Sequence, residues 1–160
     1  MKLAIVAGGG ANFYSVEVAF QRLGIDYEVT TDKVVINAAD GIVFPGVGVA
    51  KFAMDNLAKH DLIDTLKNYK KPFLGFCLGM QLLGLFKGAI RKFDATQLIV
   101  PQMGWNNFTV LKDSPLLKNI DSANDVYFVH SYYAPVNEFT VASCDYGVEF
   151  TAIAEYENFY

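Results

Sequence analysis

The sequence predicts a three-layer α/β sandwich with a mostly parallel central sheet, and antiparallel strands added in the second half. Three observations carry this. Up to Leu85, short apolar runs alternate with amphipathic stretches, the pattern of parallel strands joined by crossover helices. Runs such as Ile42-Val43-Phe44 and Phe73-Leu74-Gly75-Phe76 are apolar without alternation, as strands buried on both faces require. After Phe86 the chain becomes β-branched and aromatic, with turn residues between the runs, which suits antiparallel ladders.

The elements follow in order. Residues 2–7 read as a strand, Gly8-Gly9-Gly10-Ala11 as a turn, and Ser15 to Leu23 as a helix with apolar Val16, Val18, Ala19, Phe20 and Leu23. A Gly-rich turn there invites a dinucleotide reading, but G-x-G-x-x-G would need a glycine at Phe13, so a tight turn is the better assignment. Tyr27 to Thr30 reads as a second strand, Val34-Val35-Ile36 as a short third, and Asp40 to Phe44 as a buried one. Pro45-Gly46-Val47-Gly48 ends that strand. Helices are expected over Phe52–Leu57 and Leu62–Tyr69. In the second half, 87–93 and Gln97–Gln102 read as extended, Met103 to Asn107 as a turn, and Val126–Tyr133, Thr140–Cys144 and Val148–Ala154 as strands. The second half would then complete one mixed sheet. At 160 residues and 52% hydrophobic, the chain suits one domain, 1–160, with a sizeable core.

The stretch with chemistry in it is Lys71 to Gly84. A short strand ends at Phe76 and a helix is expected over Leu78–Leu85, with Gly75-Phe76-Cys77-Leu78-Gly79 between. This is G-x-C-x-G, the thiol form of the nucleophile elbow. Glycines flank the turn because a sharp reversal crowds any nearby Cβ. Cys77 is therefore the candidate nucleophile. Its place at a helix N-terminus predicts a thiolate favoured by the helix dipole, and the Leu78 N–H could hold an oxyanion. In a parallel sheet the Gly46-Val47-Gly48 loop falls beside Cys77, where the Val47 or Gly48 N–H could serve the same oxyanion.

Composition excludes several classes. The net charge of -4 with no basic cluster argues against nucleic acid. No apolar run is long enough to span a bilayer, and no export signal precedes the first strand, so no membrane association is expected. Two distant cysteines, Cys77 and Cys144, make no disulfide framework and suit a reducing cytoplasm. Cys144 reads as a small buried hydrophobe. The two histidines and two cysteines have no metal-ligand spacing, and no cofactor is expected.

Four pieces stand in order: Pro45 to Gly48, Gly75 to Gln81, Val100 to Asn106 (VPQMGWN) and Tyr127 to Tyr132 (YFVHSY). Together they resemble the class I (triad) glutamine amidotransferases over essentially the whole chain. The last two are similar to those of the glutaminase subunit of imidazole glycerol phosphate synthases. The resemblance implies a flavodoxin-like fold and a γ-glutamyl thioester on Cys77. It implies an oxyanion hole from Leu78 and Val47 or Gly48, and glutamine held by Gly46, Gln81 and the backbone of Ser131 and Tyr132. It also implies ammonia passed to a (β/α)8 cyclase subunit in a heterodimer, for histidine biosynthesis. Met103, Trp105 and Asn106 would face that partner.

The chain departs from the family in three places. The family's catalytic His and Glu lie in a G-x-Q-F-H-P-E segment after N-F-Y, and the sequence ends at Asn158-Phe159-Tyr160. Phe86 joins Lys87 where the family has a longer acidic, Gly-rich loop. Gln102 stands where many relatives carry His. His60 lies in a polar stretch, and His130 matches the H-S-Y position, which is not the base. Three alternatives remain open at this point: a different ammonia acceptor, a pseudo-glutaminase acting as scaffold or regulator, and a Cys-elbow hydrolase of another family.

Overall fold

The computed structural model describes residues 1–8, 12–82, 89–120 and 125–160. The chain forms two compact units, Met1–Leu83 with Phe159, and Gly84–Asn158 with Tyr160. Part of the expected first turn, the end of the helix after Leu82 and the Phe86–Lys87 junction lie outside the described residues.

The first unit is built on strands β1 (Lys2–Val6), β2 (Asp26–Thr30), β3 (Gly41–Gly46) and β4 (Phe73–Cys77), all parallel, in the order β2-β1-β3-β4. Helix α1 (Phe13–Leu23) links β1 to β2, and α2 (Lys33–Ala38) links β2 to β3. Helices α3 (Ala50–Lys59) and α4 (Ile63–Lys67) lead into β4, and α5 (Leu78–Leu82) follows it directly.

Successive strand residues point to opposite faces, and both faces are covered. Ile5 and Val43 pack with Phe20 of α1 on one face, while Ala4, Val6, Ile42, Phe44 and Phe73 pack with Ile36, Leu57 and Leu66 of the other helices. The three-layer, parallel core is thus what the unbroken apolar runs require. Phe159 returns to this unit, bridging to Phe73 with its ring 5.2 Å away.

Val34-Val35-Ile36 is a correction: it is helical, inside α2. Asp32 caps the helix, its carboxylate accepting the Val34 N–H at 2.7 Å. A parallel crossover from β2 to β3 also favours a helix over a third extended run. Gly8 has the packing role expected of a tight turn: a Cβ there would lie 2.3 Å from Leu57, and its carbonyl accepts from Asn56 Nδ2.

In the second unit, β10 (Thr140–Asp145) pairs antiparallel with β11 (Glu149–Ala154) and with β7 (Thr109–Val110). β5 (Arg91–Lys92) pairs with β9 (Tyr132–Tyr133), and β6 (Gln102–Asn106) with β8 (Val126–His130). Phe93, Tyr133, Cys144 and Phe150 form its core. Three expectations are corrected here. Among the described residues, no named strand of this unit pairs with the parallel sheet, so the expected single mixed sheet is not formed by them. Met103 to Asn106 is strand β6 rather than a turn, and Gln97 to Pro101 is turn and bend before it. The expected strand over Val126–Tyr133 breaks at Ser131 into β8 and β9. No described helix is long and apolar enough to cross a membrane.

Candidate active site

Cys77 is the last residue of β4, and Leu78 begins α5. The change from strand to helix within one peptide forces Cys77 to φ 54°. An L-residue in this left-handed region is strained, and such strain concentrates where geometry serves chemistry. The result is the elbow expected from the sequence, with Cys77 exposed.

Three glycines allow it. A Cβ on Gly79 would lie 1.8 Å from the Phe44 carbonyl oxygen, and one on Gly75 would lie 2.8 Å from the Met80 nitrogen. A Cβ on Gly46 would lie 2.9 Å from both the Gly79 nitrogen and the Leu78 Cβ. The first turn of α5 therefore sits directly on the ends of β3 and β4. Gly46 is the register partner of Cys77, so the Gly46-Val47-Gly48 loop begins beside that residue. Gly48 adopts φ 90° with open space around it. Conformation, not crowding, calls for glycine there. Val47 is half exposed. Gln81 lies on α5, four residues beyond Cys77 in sequence, and is half-buried.

The expectation of a thiolate favoured by the helix needs correction. Burial of the sulfur among its neighbours pushes the Cys77 thiol above its ordinary value, and a hydrogen bond from the Leu78 N–H only partly offsets this. The residue is open to solvent at its surface, yet the packed glycine turn desolvates the sulfur itself. Ionised sulfur loses more from that desolvation than one N–H and a short helix return.

The chain matches the model of "Glutamine amidotransferase class-I" over residues 8–160. The chain belongs to the class-I glutamine amidotransferase family. It is 40% identical to the imidazole glycerol phosphate synthase subunit HisH of Vibrio parahaemolyticus, over 99% of this chain and 87% of that one. It is 42% identical to the HisH subunit of Haemophilus influenzae, over 100% of this chain and 86% of that one. The latter alignment runs over 172 positions, more than the 160 of this chain, so that relative carries residues this amidotransferase lacks. In fold it resembles a GMP synthase subunit from Thermoplasma acidophilum, with TM-score 0.70 and 22% identity over 90% of this chain and 73% of that one. The HisH relatives are subunits of an enzyme, imidazole glycerol phosphate synthase.

The remaining expected site residues of this amidotransferase lie in the second unit. The Ser131 carbonyl accepts from the Phe93 N–H at 3.0 Å, and the Tyr132 carbonyl accepts from His130 Nδ1 at 2.8 Å. Met103 and Trp105 point outward from β6, at 63% and 71% exposure. Asn106 is half-buried on the other face, its amide donating to the Asp145 carbonyl at 2.9 Å. Across the ladder, Met103 faces Val129 and Trp105 faces Tyr127, and both partners are more than half exposed. A strand over Val126–Tyr133 would assign its aromatics mostly to sheet packing. That holds for Tyr133 and fails for Tyr127. The alternation Tyr127, Val129 against Phe128, His130 was the available signal.

Cys144 is buried, and desolvation together with the neighbouring Asp145 carboxylate pushes its thiol up to about 11. It is a core residue of this unit. His60 is the exposed C-cap of α3. Burial pulls His130 below the usual imidazole range, against its hydrogen bond to Tyr132.

Proposed function

We propose that this chain is the glutaminase subunit of an imidazole glycerol phosphate synthase, and that both compact units act as one amidotransferase domain. Cys77 sulfur attacks the carboxamide carbon of glutamine. Its proton passes through a base to the departing amide nitrogen, ammonia leaves, and a γ-glutamyl thioester remains. Water then cleaves the C–S bond, releasing glutamate and restoring the thiol. The tetrahedral oxyanion is held by the Leu78 N–H and by Val47 or Gly48. Gly46, Gln81 and the backbone of Ser131 and Tyr132 hold the amino-acid end of glutamine.

One observation carries the reading: an exposed cysteine at φ 54° whose sulfur already takes the Leu78 N–H, in register with a glycine loop. The raised thiol explains the need for a base. In the family that base is the His of the His-Pro-Glu segment after N-F-Y, oriented by its Glu.

The ammonia goes to a (β/α)8 cyclase subunit in the cytoplasm, in a heterodimer. The outward face of β6 and β8 supports such a partner. Met103, Trp105, Tyr127 and Val129 make an exposed apolar patch that includes two aromatics, and Trp105 and Tyr127 meet edge-on at 5.3 Å. Patches of this kind mark partner surfaces.

The test is glutamate release with and without the cognate cyclase and its ribotide. Partner-stimulated release that Cys77→Ala abolishes supports the mechanism. Release unchanged in Cys77→Ala refutes it. The raised Cys77 thiol also supports a second reading, a scaffold without turnover. That reading predicts labelling of Cys77 by a glutamine-like diazo-ketone with no glutamate release under any partner condition.

A further inference from the structure

Two buried polar atoms of the second unit have no protein partner among the described residues: Gln102 Oε1 and His130 Nε2. They belong to register partners across β6 and β8, and directly opposed residues of an antiparallel pair share one face. Gln102 is 3% exposed. The His130 ring packs against Phe93, Phe128 and Phe150 at 5.1–5.5 Å.

The other ring nitrogen has a fixed task. His130 Nδ1 lies 2.8 Å from the Tyr132 carbonyl. A carbonyl only accepts, so Nδ1 carries the proton, and in the neutral ring Nε2 is then an acceptor. The Phe93 N–H to Ser131 carbonyl bond makes 93 and 131 a hydrogen-bonded pair. Pairs alternate along a ladder, so the Tyr132 carbonyl turns away from β5, toward His130. A half-turn of the Gln102 amide exchanges oxygen for NH2 at almost constant shape. Two unpartnered acceptors then become a donor and an acceptor.

We propose that Gln102, His130 and Tyr132 form a positioning relay. The Gln102 amide donates to His130 Nε2, this keeps the imidazole proton on Nδ1, and Nδ1–H sets the Tyr132 carbonyl and with it the Ser131–Tyr132 peptide. His130 and Gln102 are positioning residues, and their effect on glutamine rests on the proposed role of that peptide.

The experiment uses the full chain with its cyclase and a glutamine-like diazo-ketone, read by intact mass. Labelling is split into half-saturating concentration and limiting rate, beside NMR of the imidazole nitrogens. Wild type should show a protonated Nδ1 and an unprotonated Nε2. His130→Phe, which keeps the ring packing, should raise the half-saturating concentration about tenfold with the limiting rate held, a loss of about 1.4 kcal/mol. His130→Asn, whose amide N–H can replace Nδ1–H, should restore most of it. Gln102→Leu should mix the two tautomers and weaken half-saturation less. A proton on Nε2 in wild type, or an unchanged half-saturating concentration in His130→Phe, overturns the relay. Equal losses in His130→Phe and His130→Asn also overturn it. Wild-type labelling that survives Cys77→Ala would instead sink the glutaminase reading, so the two failures are distinct.

Discussion

Gly79→Ala tests the elbow most directly. The added Cβ would lie 1.8 Å from the carbonyl oxygen of Phe44, a residue 2% exposed in the middle of the parallel sheet. Neither atom is the tip of a flexible side chain, so relief requires moving α5 off β3 by more than an ångström. Overpacking of a core ordinarily costs about 1–3 kcal/mol. A backbone-to-backbone clash belongs at the upper end, at about 3 kcal/mol or more. For a chain of this size each kcal/mol lowers Tm by roughly 2–4 °C, giving a fall of at least about 6 °C by circular dichroism. The same shift displaces Leu78 from the Cys77 sulfur, so diazo-ketone labelling should slow as well. Gly48→Ala is the contrast. Its φ is 90° with nothing within 4 Å, so only conformational strain is added, about 1 kcal/mol, with a correspondingly small change in Tm. If Gly79→Ala melts within about 2 °C of wild type with labelling unchanged, the close approach of α5 to β3 is wrong, and the account of the elbow with it.

Other outcomes follow from the same geometry. Trp105→Ala should weaken cyclase binding about thirtyfold or more, as loss of a central aromatic anchor of about 2 kcal/mol does, while leaving the Tm of the free chain unchanged. Isothermal titration with the cyclase reads this, and unaltered affinity would remove β6 from the interface. Lys71 Nζ donates to the carbonyls of Ala39 at 2.6 Å and Asn37 at 3.1 Å at the end of α2. Lys71→Met should therefore cost about 1 kcal/mol in urea unfolding without altering Cys77 labelling. The Cys144 thiol, pushed up to about 11 from 9.0, holds its proton in the folded state after the unfolded chain has lost it. Its contribution is complete below pH 9 and is lost as pH rises through about 11. Cys144→Val should flatten that part of the stability profile, and identical profiles would show that Cys144 is not desolvated.

The elbow was readable because steric demand leaves a mark in composition: three glycines are needed where backbones touch, and Gly46, Gly75 and Gly79 stand there. The layers were readable because strands covered on both faces have unbroken apolar runs. What misled was local preference set against topology. Val34-Val35-Ile36 has strand composition, but a capping Asp32 and the crossover to β3 make it helical. Met103 to Asn106 looked like a turn because its glycine and polar residues hid the alternation that sends Met103 and Trp105 outward and Gln102 inward. The Cys77 thiol ran opposite to the helix-dipole argument because sequence shows the helix start but not the desolvation around the sulfur. The pairing of Gln102 with His130 was beyond sequence reasoning, since register between distant strands is set by the fold.

The β6–β8 ribbon also bears on handling the molecule. It is a two-stranded ladder with no third strand among the described residues, and it carries Met103, Trp105, Tyr127 and Val129 on its open side. Purified alone at high concentration, the chain has a ready surface for sticking to copies of itself, by strand addition and by aromatic contact. Co-production with a partner that covers the ribbon, or a lysine in place of Val129, should therefore raise the soluble yield before it changes any chemistry.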